Sequence, residues 1–309
     1  MSGAVPAVFL GTSEFAAEVL RALVASGQRP ALVVTPPDRR SGRGRKVRAP
    51  AAAETAKALG IELHQTSSVN QPASRDAVLA ANPELAVVCA FGQLIGPELL
   101  AALPMLNAHP SLLPRWRGAA PIERALMARD ANTGTCVMRL DEGLDSGPVA
   151  LRAEVPVEPA ATYGSLAPRL AELSGVLLGD ALGLHAAGEL EGRFATQPED
   201  GITYAEKIEP PDRIVDPLRA AADEDARIRA LTPHIGAAID LGPDGRLGLR
   251  SGGVAESDLA PGRFGSEGET LLLGCSEGAV RIAEVQPAGK RWMSAVDYLR
   301  GYGVPQVAA

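Results

Sequence analysis

The sequence predicts an α/β protein of two domains: a parallel sheet with helices on both faces, then a small C-terminal β-barrel. Three observations predict it. Short apolar runs alternate with amphipathic helical stretches through the first half of the chain. After about residue 206 the texture changes to short apolar runs split by glycine. The chain has 309 residues, 46% of them apolar, and single cores rarely grow beyond roughly 250–300 residues.

The elements follow in order. Ala7 to Leu10 is apolar and ends at Gly11, which reads as a buried strand and turn. Thr12 or Ser13 caps the next helix, Glu14 suits its positive end, and Gly27 stops it after Phe15, Val19, Leu20 and Leu23 at helical spacing. Ala31 to Thr35 is a second strand, Ala51 to Leu59 a helix ending at Gly60, and Ala73 to Ala81 a helix closed by Asn82-Pro83. Leu85 to Cys89 is a buried strand and Leu106 to His109 a short strand end before Pro110. Ile122 to Ala128 is helical, Thr135 to Leu140 a strand, and Thr162 to Ala187 one long helix that closes the domain. Glu189 to Pro211 is polar and proline-bearing and reads as a linker. Arg227 to Ile239 reads as one amphipathic helix, followed by strands at Leu247–Leu249, Thr270–Leu273 and Ala279–Val285. The expected boundaries are 1–188, a linker 189–206, and 207–309.

Strands alternating with helices imply a parallel sheet, in which ligands bind at the carboxyl ends of the strands. The first turn, Gly11-Thr-Ser-Glu-Phe15, lacks the G-x-G-x-x-G that seats a pyrophosphate, so a nicotinamide dinucleotide is disfavoured. A net charge of −7 gives no global attraction for nucleic acid, so a polyanion must meet a local basic patch. Cys89, Cys136 and Cys275 are odd in number, form no C-x-x-C and have no nearby histidine. They read as buried free thiols of a reducing cytosol, without disulfide or metal. Residues 1–20 carry no basic residue, unlike a secretory signal, and no run approaches the ~20 apolar residues of a membrane span.

Four segments carry chemistry. In Asn107-Ala-His109-Pro-Ser111-Leu-Leu-Pro114, a strand places Asn107 and His109 on one face. The pair fits either a core histidine beside a turn asparagine, or two donors that stabilise charge on a carbonyl oxygen. Asp141-Glu-Gly143-Leu144-Asp145-Ser-Gly147 is either an ordinary acidic turn or the source of a carboxylate that orients His109 across neighbouring strand ends. From 39 to 48, six of ten residues are basic: Arg39, Arg40, Arg43, Arg45, Lys46 and Arg48. In an acidic chain that run favours a polyanion site over a solvated loop. Gly289-Lys290-Arg291-Trp292 is either a turn before a terminal helix or a place for charge and stacking against nucleic acid.

Taken together, these segments resemble the methionyl-tRNA formyltransferases, collinearly over essentially the whole chain. The resemblance rests on Phe9-Leu-Gly-Thr-Ser-Glu-Phe15, the basic loop 37–48, Ala90-Phe-Gly-Gln-Leu-Ile95, the segment 107–122, the loop 141–147, Thr203-Tyr-Ala-Glu-Lys207 and Gln286-Pro-Ala-Gly-Lys290. It implies a Rossmann-like formyltransferase domain and a C-terminal barrel of the oligonucleotide-binding type. It implies catalytic roles for Asn107, His109 and Asp145. It implies 10-formyltetrahydrofolate as formyl donor, without a metal, bound between Phe91, Gly92, Gln93, Leu94 and Ile95, the run Ser111, Leu112, Leu113 and Pro114, and Asp141, Gly143 and Leu144. The basic loop, with Lys290 and Arg291, would meet the initiator methionyl-tRNA. A cytoplasmic monomer with no membrane association is expected. The chain departs from the family in carrying Arg39-Arg40-Ser41 where R-P-A is common, and in its weak match between 211 and 280.

Overall fold

The computed structural model describes residues 4–41 and 46–306. The chain groups into two compact units, one of residues 1–118, 133–155 and 167–204, the other of 119–132, 156–166 and 205–309.

The first unit begins with β1 (Ala7–Gly11) and α1 (Glu14–Ala25), then β2 (Leu32–Thr35) and the short ribbon β3 (Arg39–Ser41) and β4 (Lys46–Arg48). It continues through α2 (Ala51–Ala58), β5 (Glu62–Gln65), α3 (Pro72–Ala80), β6 (Leu85–Cys89), α4 (Pro97–Ala102), β7 (Met105–His109) and β8 (Arg117–Gly118). After α5 (Pro121–Met127), which belongs to the second unit, come β9 (Asn132–Arg139), β10 (Val149–Pro156), α6 (Tyr163–Ala186) and β11 (Tyr204–Ala205).

The main sheet has the order β10-β9-β7-β6-β1-β2-β5. The five strands from β5 to β7 run parallel, as the alternation predicted. The sheet's inner strands are buried on both faces: Val8, Leu10, Val34 and Val88 pack with Val78 of α3 and Leu99 of α4, while Phe9, Val33 and Val87 point the other way and are also fully covered. Ser13 caps α1 by accepting from the Ala16 N–H at 3.2 Å. Helix α6 packs against α1 so closely that a Cβ at Gly175 would lie 2.4 Å from the Ala22 methyl.

Several expectations need correction. β9 runs antiparallel to β7, with Leu106 opposite Arg139 and His109 opposite Cys136. The edge strand β5 has no fully buried residue in Glu-Leu-His-Gln, so it carries no apolar run to read. α4 spans only six residues, too short to show a period. β10 has an alternating half-buried pattern. Residues 189–204, polar in sequence, lie within the first unit, with Leu190 and Gln197 buried.

The second unit adds α7 (Ala221–Leu231), β12 (Ala237–Asp240), β13 (Arg246–Ala255), β14 (Phe264–Glu267), β15 (Thr270–Gly274), β16 (Ala279–Gln286), β17 (Met293–Ser294) and α8 (Ala295–Tyr302). The expected helix over 227–239 is instead the end of α7, a break and the strand β12. Pro233 lacks the N–H a helix needs and Gly236 sits at φ +80°. The expected barrel is an antiparallel sheet of order β12-β13-β16-β15-β14, with β17 beside β16 and two ends to its strand order. β13 runs through Gly252 and Gly253 on a register shift. Its core includes Ile228, Leu231, Ile239, Leu249, Leu271 and Val280. Cys89, Cys136 and Cys275 are all buried and free. No helix among the described residues is long and apolar enough to cross a membrane.

Candidate active site

β7 ends at the carboxyl edge of the parallel sheet, and its alternation puts Asn107 and His109 on one face. Both are buried. The His109 backbone is fixed by its carbonyl, which accepts from the Thr135 hydroxyl at 3.2 Å and from the Ser111 N–H at 2.8 Å. Thr135 is joined to the Ser174 hydroxyl of α6 at 2.8 Å.

Asp145 meets this pair. Asn107 Nδ2 donates to Asp145 Oδ1 at 3.3 Å, and Asp145 Oδ2 lies 3.6 Å from His109 Nδ1. The backbone N–H of Gly118 donates to the same Oδ2 at 2.9 Å. The path of the acid differs from the one expected. Because β9 is antiparallel, its end lies opposite Leu106 at the start of β7, so the loop folds back over the sheet to bring the carboxylate to Asn107 and His109. Asp145 turns there at φ +48°, a left-handed conformation uncommon for a non-glycine residue.

His109 Nε2 is 2.8 Å from the Trp116 carbonyl. A carbonyl only accepts, so Nε2 carries a hydrogen, and Nδ1 is the ring nitrogen that faces Asp145. Sequence reasoning missed this. It also missed Gly118, Arg117 and Gln197. Arg117 donates to Gln197 Oε1 from Nε at 3.1 Å and from Nη2 at 2.8 Å. The only signal in the chain was the tight run Trp-Arg-Gly between the prolines and α5.

The residues expected around the folate divide in two. Phe91 and Ile95 are buried in the sheet core, and the Phe91 carbonyl accepts from the Thr12 hydroxyl. Gln93 ties the loop to its neighbour, accepting from the Val69 N–H at 2.8 Å and donating to the Thr66 carbonyl at 2.9 Å. Ser111 is fully buried and donates to the Arg115 carbonyl at 2.6 Å, which makes it a loop-geometry residue. Leu113 is buried with Cys136, Met138 and Val149, Leu112 is half-buried, and Pro114 follows a cis peptide bond. Asp141 shapes its own loop by accepting from the Gly143 N–H at 3.0 Å and the Ser146 hydroxyl at 3.1 Å. The groups facing outward are Gly92 (at φ +73°), Leu94 at 85% exposure, Leu144 at 60%, and Asp141 and Gly143 beside it.

The basic run forms a ribbon. β3 pairs antiparallel with β4, which sets Arg39 directly opposite Arg48 and Arg40 opposite Val47. Arg39, Arg40 and Arg48 are exposed. Like charges face to face destabilise a ribbon, and an anion between them relieves it. Arg43 and Arg45 lie outside the described residues, and of Lys46 only the backbone is described. Lys290 and Arg291 are exposed in the turn between β16 and β17. One face of Trp292 beside them is covered by the Arg250 guanidinium, which lies 4.3 Å from the ring centroid.

Residues 6–182 match the family described as Formyl transferase, and residues 207–303 match Formyl transferase, C-terminal domain. A methionyl-tRNA formyltransferase of Symbiobacterium thermophilum is 41% identical over 306 residues, covering 96% of this chain and 92% of that protein. One from Roseobacter denitrificans is 42% identical, covering 96% of each. Among solved structures, HypX from Aquifex aeolicus in complex with tetrahydrofolic acid superposes with a TM-score of 0.60 at 18% identity, over 95% of this chain and 46% of that one. The sugar 3N-formyl transferase WlaRD does so with a TM-score of 0.60 at 14% identity, over 93% and 99%. These two likenesses show a shared fold.

Proposed function

The chain belongs to the methionyl-tRNA formyltransferase family, and we propose that Asn107, His109 and Asp145 are the side chains with which it performs the family's reaction. That reaction moves the formyl group of 10-formyltetrahydrofolate to the free amino group of methionyl initiator tRNA, giving formylmethionyl-tRNA for translation initiation. The observation that carries the assignment is the meeting of three polar side chains from one strand and one loop, with Asp145 within 3.3 Å of Asn107 and 3.6 Å of His109.

The residues present fit the folate: a buried polar cluster for the formyl group, and Leu94 and Leu144 exposed on flanking loops where a flat heteroaromatic ring can be covered. When bound, 10-formyltetrahydrofolate supplies the one-carbon unit. Asn107 has two amide hydrogens and spends one on Asp145, so the second is free for the formyl oxygen as negative charge develops there. His109 Nδ1 accepts the proton released as the amine adds, and Asp145 holds the resulting cation in place. The leaving nitrogen recovers a proton from the same imidazole, so the ring ends as it began. Ser111 takes no part, because its hydroxyl is buried and bound to the Arg115 carbonyl.

The tRNA is assigned to the ribbon of β3 and β4, with Arg39, Arg40, Arg43, Arg45, Lys46 and Arg48, and to Lys290 and Arg291. The Arg39–Arg48 register supports this, since a phosphate between them removes a repulsion. We assign the catalytic domain to 1–188, a linker to 189–206 whose residues up to 204 pack on that domain, and the tRNA-binding domain to 207–309, in a cytoplasmic monomer. Incubation with methionyl-tRNA and labelled 10-formyltetrahydrofolate tests the reading: label is expected on the methionine amino group. Label that stays on the folate, or moves only to a small amine, overturns it.

A further inference from the structure

Asp145 bears the site's charge on an uncommon backbone, so something must hold it there. Its carboxylate is held by the Gly118 N–H and by Asn107. Its main chain is held by a different group. Gln197 Nε2 lies 2.8 Å from the Asp145 carbonyl and 2.8 Å from the Gly147 carbonyl. Both N–H bonds of one amide thus close on both sides of Ser146. Gln197 is 6% exposed and Arg117 9%. The guanidinium fork on Oε1 fixes which end of the amide faces which way, because a guanidinium only donates and must face the oxygen. The two hydrogens are therefore aimed at the two carbonyls.

The partner of this buried guanidinium is a neutral amide oxygen, where ion pairing would demand a carboxylate. Burying an arginine costs desolvation that one amide does not return as stability. What the arrangement provides is orientation. The same three-residue stretch supports the whole cluster: the Trp116 carbonyl sets the His109 tautomer, the Arg117 side chain aims Gln197, and the Gly118 N–H binds the Asp145 carboxylate.

Resting on the catalytic reading above, we propose that Gln197, aimed by Arg117, is a positioning residue that clamps the Asp145–Gly147 turn and so sets the carboxylate against His109. Gln197→Glu separates this from plain stability. A carboxylate at 197 keeps its partner Arg117 but has no hydrogens for the two carbonyls. The expected result is an enzyme that folds with a lowered Tm, since two carbonyls lose their donor, and whose folded fraction has KM for both substrates within about twofold and kcat lower by roughly 10- to 100-fold. The pH profile of kcat shifts with it, because the Asp145–His109 spacing changes. Combined with Asp145→Asn, Gln197→Glu adds no further loss, since it acts through that carboxylate.

Wild-type kcat in Gln197→Glu, or a full additional loss in the double variant, overturns the proposal. If Gln197→Glu does not fold, the double variant Arg117→Met with Gln197→Met, which removes the donors together with the buried charge that would lose its partner, is read by its kcat and KM in the same way. Wild-type enzyme is assayed alongside. If it transfers no formyl group the catalytic reading fails; if it does and the 197 variants keep its kcat, only the clamp fails.

Discussion

Asp145 Oδ2 stands 3.6 Å from His109 Nδ1, while the opposite nitrogen of that ring is committed to the Trp116 carbonyl at 2.8 Å. The ring therefore presents its other nitrogen to a carboxylate. Asp145→Asn keeps an oxygen for the Gly118 N–H and removes the charge, so the loop stays folded while proton transfer fails. We expect kcat to fall by about 10²–10³ for Asp145→Asn and by a similar factor for Asn107→Ala, with tRNA affinity unchanged. Single-turnover formyl transfer and filter binding of the same preparations check this; wild-type turnover in either variant removes that residue from the mechanism.

The ribbon predicts a salt signature. Replacing Arg39, Arg40 and Arg48 with glutamine removes three exposed charges without touching the main sheet. Affinity for methionyl-tRNA should fall, and the slope of log K against log salt should flatten by roughly 0.7–0.9 for each phosphate no longer neutralised. Thermal stability should rise slightly or stay level, because the opposed Arg39 and Arg48 repel in the free protein. An unchanged slope takes the ribbon out of the tRNA site.

Gly147 has no room for a side chain. A Cβ there would lie 1.9 Å from the Arg139 carbonyl oxygen, a backbone atom that cannot swing aside. Gly147→Ala should cost about 1–3 kcal/mol or more, a drop of roughly 2–10 °C in Tm for a protein of this size. Because Gly147 also shares the Gln197 clamp with Asp145, the folded fraction should lose activity as well. Melting curves and specific activity measured together read both effects; a variant matching wild type in both contradicts the packing.

The thiols predict behaviour in alkali. Burial pushes Cys89 up to about 12 and Cys275 up to about 11, and raises Cys136 as well. In the unfolded chain a thiol titrates at about 8.5. Between about pH 9 and 11 the folded state therefore holds protons that the unfolded state has released, so stability falls as pH rises, by up to about 1.4 kcal/mol per pH unit for each thiol. Below about pH 8 both states are protonated and the effect vanishes. Urea unfolding at about pH 8 and about pH 10.5 measures it. Cys275→Ala should flatten the decline, and native protein at about pH 8 should react slowly with thiol reagents.

Much of this protein was legible before folding was considered. Apolar runs and glycine stops placed β1, α1, β2, α2, β6 and α6 because each is a local matter of period, cap and burial. Residue spacing alone put Asn107 and His109 on one face. The basic run was visible as a charge contrast with an acidic chain. These are properties of neighbouring residues, and neighbours are what a sequence lists.

Tertiary structure decided the rest. The direction of β9, which carries the acid in over the sheet, depends on pairing between strands far apart along the chain. β5 is a strand only because β2 offers it an edge. Pro233 and Gly236 divide what a periodicity reading joined into α7 and β12. The tautomer of His109 is set by a carbonyl seven residues on, and the posture of Asp145 by an amide 52 residues on. Hydrogen bonds of that reach exist only once the chain has closed on itself. Composition and period say which side chains a chain can bring to a site; only the fold says which of them point at one another.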